Sequence, residues 1–206
     1  MKFKNLINSI FRQGQKIPFS RLDIFVRVGW FAFASLGVTY VLFQKKLLPH
    51  SISKFVSKIF FLPTFPITAL LRLGNYWTVI DDTLILGCAP MGILGHPEAL
   101  YKLGVRGVVN MCYEYSGPVA EYERLGIKQL YLPTCDHFEP SVANMKSAVE
   151  FIQYHKKKGE KVYVHCKAGH GRAASIALCW LITENKDQTP KVQLVCEYFC
   201  KVVMKL

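Results

Sequence analysis

Cys166 and Arg172 stand six residues apart, with Gly169 and Gly171 between them and His165 immediately before. In a chain with seven cysteines such a spacing can arise by accident, so the setting has to carry the argument. Lys161 to His165 reads as a strand and Ala173 to Thr183 as a helix, which makes Cys166 to Arg172 a loop from a strand end to a helix start. Two glycines let such a loop curl with its N–H groups pointing inward, and the helix N-terminus adds positive potential at the same point. This is an anion site, and phosphate is its natural occupant. Lys167, Ala168, Gly169, His170 and Gly171 are the expected substrate-binding positions. A field of this kind favours the thiolate, the nucleophilic form of a cysteine, and the planar fork of Arg172 matches two phosphate oxygens. The chemistry expected is attack of Cys166 on a phosphate monoester, giving a cysteinyl-phosphate that water then hydrolyses. The plainer reading, an inert cysteine at a strand end and a solvated arginine, leaves the two glycines and the strand-loop-helix setting unexplained.

The elements that must position this loop follow a regular pattern after Asn75. Thr83 to Leu86 reads as a strand, Pro97 to Leu103 as a helix closed by Gly104, and Val105 to Met111 as the next strand. Val119 to Leu125, Gly126 and Ile127 to Leu132 repeat that device. Ser141 precedes a helix whose apolar positions Val142, Met145, Val149 and Ile152 lie on one face, ending near Gly159. Pro190 to Lys201 reads as a further helix. Strands alternating with helices predict an α/β fold, a central and mostly parallel sheet flanked by helices on both faces. Ligands in such sheets sit beyond the carboxyl ends of strands, where Cys166 falls.

The net charge of +12 is unevenly placed. Residues 1–80 hold eleven Lys and Arg against one acid, Asp23, and so carry +10 of it. The near-neutral remainder argues against a nucleic-acid surface, which needs basic side chains clustered on the folded part. A basic, acid-poor N-terminal third suggests a membrane surface or organelle import. Val28 to Gln44 is an uncharged run of seventeen residues between Arg27 and Lys45-Lys46, just long enough to span a bilayer or to lie on one. Ile59 to Leu71 is a second apolar run, of thirteen residues, too short to span and containing Pro63 and Pro66, which should break or kink a helix. The expected organisation is a basic extension over 1–50 with a membrane segment at 28–44, an apolar interfacial or docking segment over 51–74, and a soluble catalytic domain over 75–206. An odd number of cysteines without a C-x-x-C pair argues against both a disulfide scaffold and a structural zinc site. No cofactor and no metal is expected.

The His165-Cys166 pair followed by five residues and Arg172 resembles the signature of the dual-specificity branch of the protein tyrosine phosphatases. The likeness is greatest to the mitochondrial phosphatases that act on phosphatidylglycerophosphate. It runs from about Ile59 to Lys201 and takes in Phe61-Leu62-Pro63-Thr64, Trp77 with Ile80 through Gly87 and Pro90, Val105 through Met111 with Glu114-Tyr115, and Val162 through Gly169. The resemblance implies a dual-specificity phosphatase-like fold and a general acid about thirty residues before the cysteine. Asp136 is the match, with Glu139 as the second candidate; His165 and Glu114 are implied as supporting residues. It also implies a mitochondrial inner membrane, with another organelle membrane facing the cytosol as the alternative. Three departures stand out. Ala173 occupies the place of the usual Ser or Thr, which implies slow turnover, and His170 replaces an arginine that the nearest relatives carry inside the loop. The chain also stops at Leu206, short of a further helical stretch, as a short isoform would. Three functions remain open: a lipid phosphatase in cardiolipin synthesis, a dual-specificity phosphatase acting on phosphotyrosine, phosphoserine or phosphothreonine, and an inactive phosphate-binding adaptor.

Overall fold

The computed structural model describes residues 21–72 and 74–184, in two compact units that divide between Leu42 and Phe43. The helix expected over Pro190 to Lys201 lies outside the described residues. The first unit holds most of helix α1 (Arg21–Gln44), on which Phe25, Trp30, Phe31 and Phe33 are exposed. Its 21 residues Ile24–Gln44 are long and apolar enough to cross a membrane, with a mean hydropathy of 1.6. Ser35 and Thr39 each donate a hydroxyl to the carbonyl four residues back, Phe31 O and Ser35 O, so their polar groups are satisfied within the helix.

The second unit opens with helix α2 (His50–Leu71) and continues through β1 (Trp77–Val79), β2 (Leu84–Gly87), α3 (His96–Lys102), β3 (Val105–Cys112), α4 (Val119–Leu125), β4 (Lys128–Thr134), α5 (Val142–Lys156), β5 (Lys161–His165) and α6 (Arg172–Glu184). The strands form one sheet in the order β1-β2-β5-β3-β4, parallel except for β1, which runs antiparallel to β2. The central strands β3 and β5 are buried on both faces, which is why they read as continuous apolar runs rather than alternating ones. On one face Ile152 of α5 and Ile176 and Trp180 of α6 pack on Leu84, Val109, Val162 and Val164; on the other, Leu100 of α3 and Tyr122 of α4 pack on Ile85, Val108 and Tyr163.

Two interactions fix α6 and α5. Trp180 Nε1 donates to Asp81 Oδ2 at 2.6 Å, while Asp81 Oδ1 accepts the N–H groups of Thr83 and Leu84 at 2.8 and 2.7 Å. Thr83 therefore belongs to the turn capped by Asp81, and the strand begins one residue later than its sequence suggested. Ser141 caps α5 as expected, its hydroxyl accepting from Asn144 N at 3.1 Å. Gly104 and Gly126 end α3 and α4 at positive φ. Strand β4 extends to Thr134 through Pro133, which an edge strand tolerates.

The second apolar run departs most from expectation. It is part of a continuous 22-residue helix that contains both Pro63 and Pro66 and is long and apolar enough to cross a membrane. One stripe of it, Ser53, Val56, Ser57, Phe61 and Phe65, is buried, and Phe61 and Phe65 pack with Ala89 and Tyr115 of the sheet domain. Burying Val56, Phe61 and Phe65 contributes about 2 kcal/mol each, which together is comparable to the roughly 3 kcal/mol that each of the two interior prolines costs. The opposite stripe, Ile52, Phe55, Ile59, Leu62 and Ile67, is exposed. The boundary drawn at Asn75 thus falls inside the second unit, and α2 is packed as part of it.

Candidate active site

Cys166 follows the carboxyl end of β5 and is 3% exposed, at the edge of the core formed with α6. The loop after it is braced from outside by residues 87–89. Ala89 N donates to Lys167 O at 3.2 Å and Cys88 Sγ to Ala168 O at 3.4 Å. That segment is held in turn by Tyr163 Oη on Cys88 O at 2.5 Å and by Tyr76 Oη on Ala89 O at 2.6 Å. Gly169 has φ +76°, and a Cβ there would lie 2.8 Å from Gly87 O, so both conformation and space require glycine. Gly171 has neither constraint; its carbonyl accepts both Ser175 N and Ser175 Oγ, at 3.0 and 3.1 Å. Ala173 is fully buried at the start of α6. His165 stacks on Tyr163, and burial pushes its pKa down to about 3, so it is a neutral packing element behind the cysteine.

Arg172 is 4% exposed and its terminal nitrogens are saturated. Nη1 donates to Glu114 Oε2 at 2.9 Å and Thr134 O at 2.7 Å; Nη2 donates to Glu114 Oε1 at 2.7 Å and Asp136 Oδ1 at 2.9 Å. Burial opposes the charge, but Asp136 and Glu114 outweigh it and keep the guanidinium ionised. The fork that the sequence assigned to phosphate is met on one side by Glu114, whose side chain is 1% exposed. Asp136 is the more accessible partner, its side chain 25% exposed.

The structure therefore brings Asp136 to the loop. Burial pushes its pKa up, but the charges of Arg172, His137 and Lys167 and the His137 N–H more than offset this and hold it below the usual carboxylate range. Glu139 is placed elsewhere: it pairs with Lys46 at 2.7 Å on a half-exposed surface. Of the two acid candidates, only Asp136 contacts Arg172 among the described residues. No group of His, Cys, Asp and Glu suited to a metal ion occurs among the described residues.

Helix α2 adds residues the sequence did not mark. Lys167 Nζ, lowered in pKa by burial, reaches Thr64 Oγ1 at 2.5 Å. Arg72, the residue that caps α2, donates Nη2 to Ala168 O at 2.9 Å and lies 2.5 Å from His170 Nε2. Its only sequence signal was its place among the basic side chains of the N-terminal third.

Known proteins are similar to this chain. The model of the dual specificity phosphatase catalytic domain matches residues 84–197. The chain is 39% identical over 118 residues to the Arabidopsis thaliana phosphatidylglycerophosphate phosphatase PTPMT2, a stretch covering 56% of this chain and 50% of that one. It is 36% identical over 118 residues to the human phosphatidylglycerophosphatase and protein-tyrosine phosphatase 1, covering 54% and 58%. The chain spans about half the length of the curated relatives it matches. The crystal structure of PTPMT1 in complex with PI(5)P superposes with a TM-score of 0.52 at 29% identity, covering 62% of this chain and 83% of that one. The matched segment contains Glu114, Asp136, Cys166 and Arg172 and leaves out α1, α2 and Arg72. On its sheet order, the Cys166-to-Arg172 loop between β5 and α6, and this match, the chain belongs to the family of dual specificity phosphatase catalytic domains.

Proposed function

We propose that the chain hydrolyses phosphate monoesters through Cys166 and that its substrate is phosphatidylglycerophosphate. The observation that carries the reading is the double engagement of Arg172, locked by Glu114 on one side and shared with Asp136 on the other. All four terminal N–H groups of Arg172 are in use. A phosphate oxygen that takes Nη2 therefore displaces the accessible partner, Asp136, not the buried Glu114. Losing that contact and gaining a neighbouring anion both raise the pKa of Asp136, turning a carboxylate into an acid as substrate binds. Cys166 Sγ then forms a bond to phosphorus as the P–O bond to the leaving group breaks, and the Asp136 proton passes to the leaving oxygen. In the second step Asp136 takes a proton from water, the water oxygen bonds to phosphorus, and the S–P bond breaks to restore the thiolate.

The lipid reading is supported by the names of the relatives and by the exposed apolar faces of α1 and α2. In this reading α1 holds the chain at a membrane, that of mitochondria by the resemblance, with Lys45 facing anionic headgroups. The human relative's name also carries a protein-tyrosine phosphatase activity, which makes a phosphoprotein the second substrate reading. Purified full-length protein assayed side by side on phosphatidylglycerophosphate vesicles and on a phosphotyrosine peptide decides between them. Faster release from the lipid is expected. Release from the peptide alone would overturn the lipid assignment, and one burst of product without turnover would favour an adaptor.

A further inference from the structure

Arg72 is a cation that the chemistry above does not use, and it sits on the loop after Cys166, in contact with Ala168 and His170. It makes no ion pair among the described residues, although the residue is only partly exposed. Nη2 is spent on Ala168 O and His170, and Nε is buried without a hydrogen-bond partner among the described residues. The neighbouring ring is neutral: burial and the Arg72 charge both push the His170 pKa down, so His170 accepts from Arg72 and does not compete with it as a cation. A partly covered, uncompensated guanidinium costs desolvation without an ion-pair return, and an anion at the loop rim supplies the missing partner.

We propose that Arg72 reads a second anionic group of the substrate, beside the phosphate held by the loop, so that the site selects phosphate monoesters that also carry a phosphodiester. Arg72 thereby takes, from the end of α2, the position in space that a cationic side chain at residue 170 would otherwise fill. This rests on the phosphomonoester reading of the Cys166 loop and deepens it to a specificity. Lys167, tied to Thr64 of the same helix, keeps the loop and the helix end in register.

The test is a binding measurement, so that it does not depend on turnover. Full-length protein with Cys166→Ser, in detergent micelles, is titrated calorimetrically with glycerol 3-phosphate and with glycerophosphoglycerophosphate, the water-soluble headgroup bearing a monoester and a diester. The headgroup is expected to bind about tenfold tighter, Arg72→Gln to bring the two affinities together, and His170→Arg added to Arg72→Gln to restore the difference. Arg72→Lys, which keeps the charge, retains most of the preference and serves if the glutamine variant fails to fold. Equal affinity for the two ligands in the parent, or an equal loss for both in Arg72→Gln, would overturn the proposal, the second result leaving Arg72 as a loop brace. Absence of hydrolysis of the lipid by the unsubstituted protein, with the binding preference intact, would instead overturn the substrate assignment and leave Arg72 as the reader of a second anion.

Discussion

Replacing Glu114 by Gln should damage both stability and activity, and the structure sets the size of each effect. The Glu114–Arg172 pair is bidentate, at 2.7 and 2.9 Å, with side chains 1% and 4% exposed, so neither charge has water to fall back on. Removing one partner of such a buried pair costs roughly 3–5 kcal/mol, because the other charge remains buried. Here Arg172 keeps Asp136 and Thr134 O, and the glutamine keeps one acceptor oxygen, which places the loss at about 2–3 kcal/mol. At about 2–4 °C per kcal/mol for a domain of this size, the melting temperature should drop by about 4–12 °C. Activity should fall further than stability implies. With its buried anchor weakened, the guanidinium leans on Asp136, which misplaces the phosphate clamp and holds the acid more firmly ionised; displacement on the scale of 1 Å costs about 10²-fold. Thermal melts followed by circular dichroism and kcat/KM on para-nitrophenyl phosphate measure the two effects separately. A melting temperature within about 1 °C of the parent together with kcat/KM within about threefold would refute the reasoning.

The remaining predictions touch other parts of the site. Cys166→Ser should abolish hydrolysis while a phosphate analogue still binds, since Arg172 and the loop amides remain; activity within tenfold of the parent would remove Cys166 as nucleophile. Asp136 lies below the usual carboxylate range in the free protein and rises when phosphate takes Arg172, so the alkaline limb should lie at higher pH in kcat than in kcat/KM. Asp136→Asn should erase that limb and lower the maximum by about 10² to 10⁴, and a limb that survives it would reassign the acid. Between the ordinary histidine pKa and the value of about 3 for buried His165, the unfolded chain holds a proton that the folded chain does not. Stability should therefore fall by about 1.4 kcal/mol per unit as pH drops through that window, and urea midpoints of His165→Gln should fall less steeply; identical slopes would sink the assignment. Residues 1–49 fused to a fluorescent reporter should locate to mitochondrial membranes, and a diffuse cytosolic signal would contradict the anchor.

What the sequence showed and what it hid follow the range of the forces involved. The α4 helix over Val119–Leu125, the β5 strand over Lys161–His165 and the Ser141 cap rest on contacts within a few residues and were legible to within a residue or two. Strand β1, only Trp77–Val79, has no periodicity to read and exists because β2 offers it an edge. The continuity of α2 through Pro63 and Pro66 is decided by Phe61 and Phe65 on Ala89 and Tyr115, contacts that lie beyond any local pattern. At the site, Cys166, Arg172 and the loop between them sit in one stretch of chain, whereas Arg72 meets the loop across 96 residues and Asp81 meets Trp180 across 99. The sequence put Asp136 first and Glu139 second; in the structure they differ by the direction of two side chains, one onto Arg172 and one onto Lys46.

Several long-range contacts on the two loops come from α2. The loop after β4 that carries Asp136 is touched from the N-terminal side by Phe43 on His137 at 5.0 Å, His50 on Phe138 at 4.9 Å and Ser57 on Cys135 at 3.8 Å. The phosphate loop after β5 is touched by Thr64 and Arg72 of the same α2. The proposed acid and nucleophile thus follow different strands, and both loops are touched by residues of α2 and its cap: His50 and Ser57 on one, Thr64 and Arg72 on the other. Interior packing is dense and transmits displacement rather than absorbing it, so a shift of α2 by a fraction of an ångström moves both loops together. The outer stripe of α2, with Phe55 at 67% and Leu62 at 75% exposure, is the surface that apolar surroundings would hold in place. A helix packed on the catalytic loops on one side and apolar on the other gives the membrane proposed for this protein a direct mechanical route to the geometry of its chemistry.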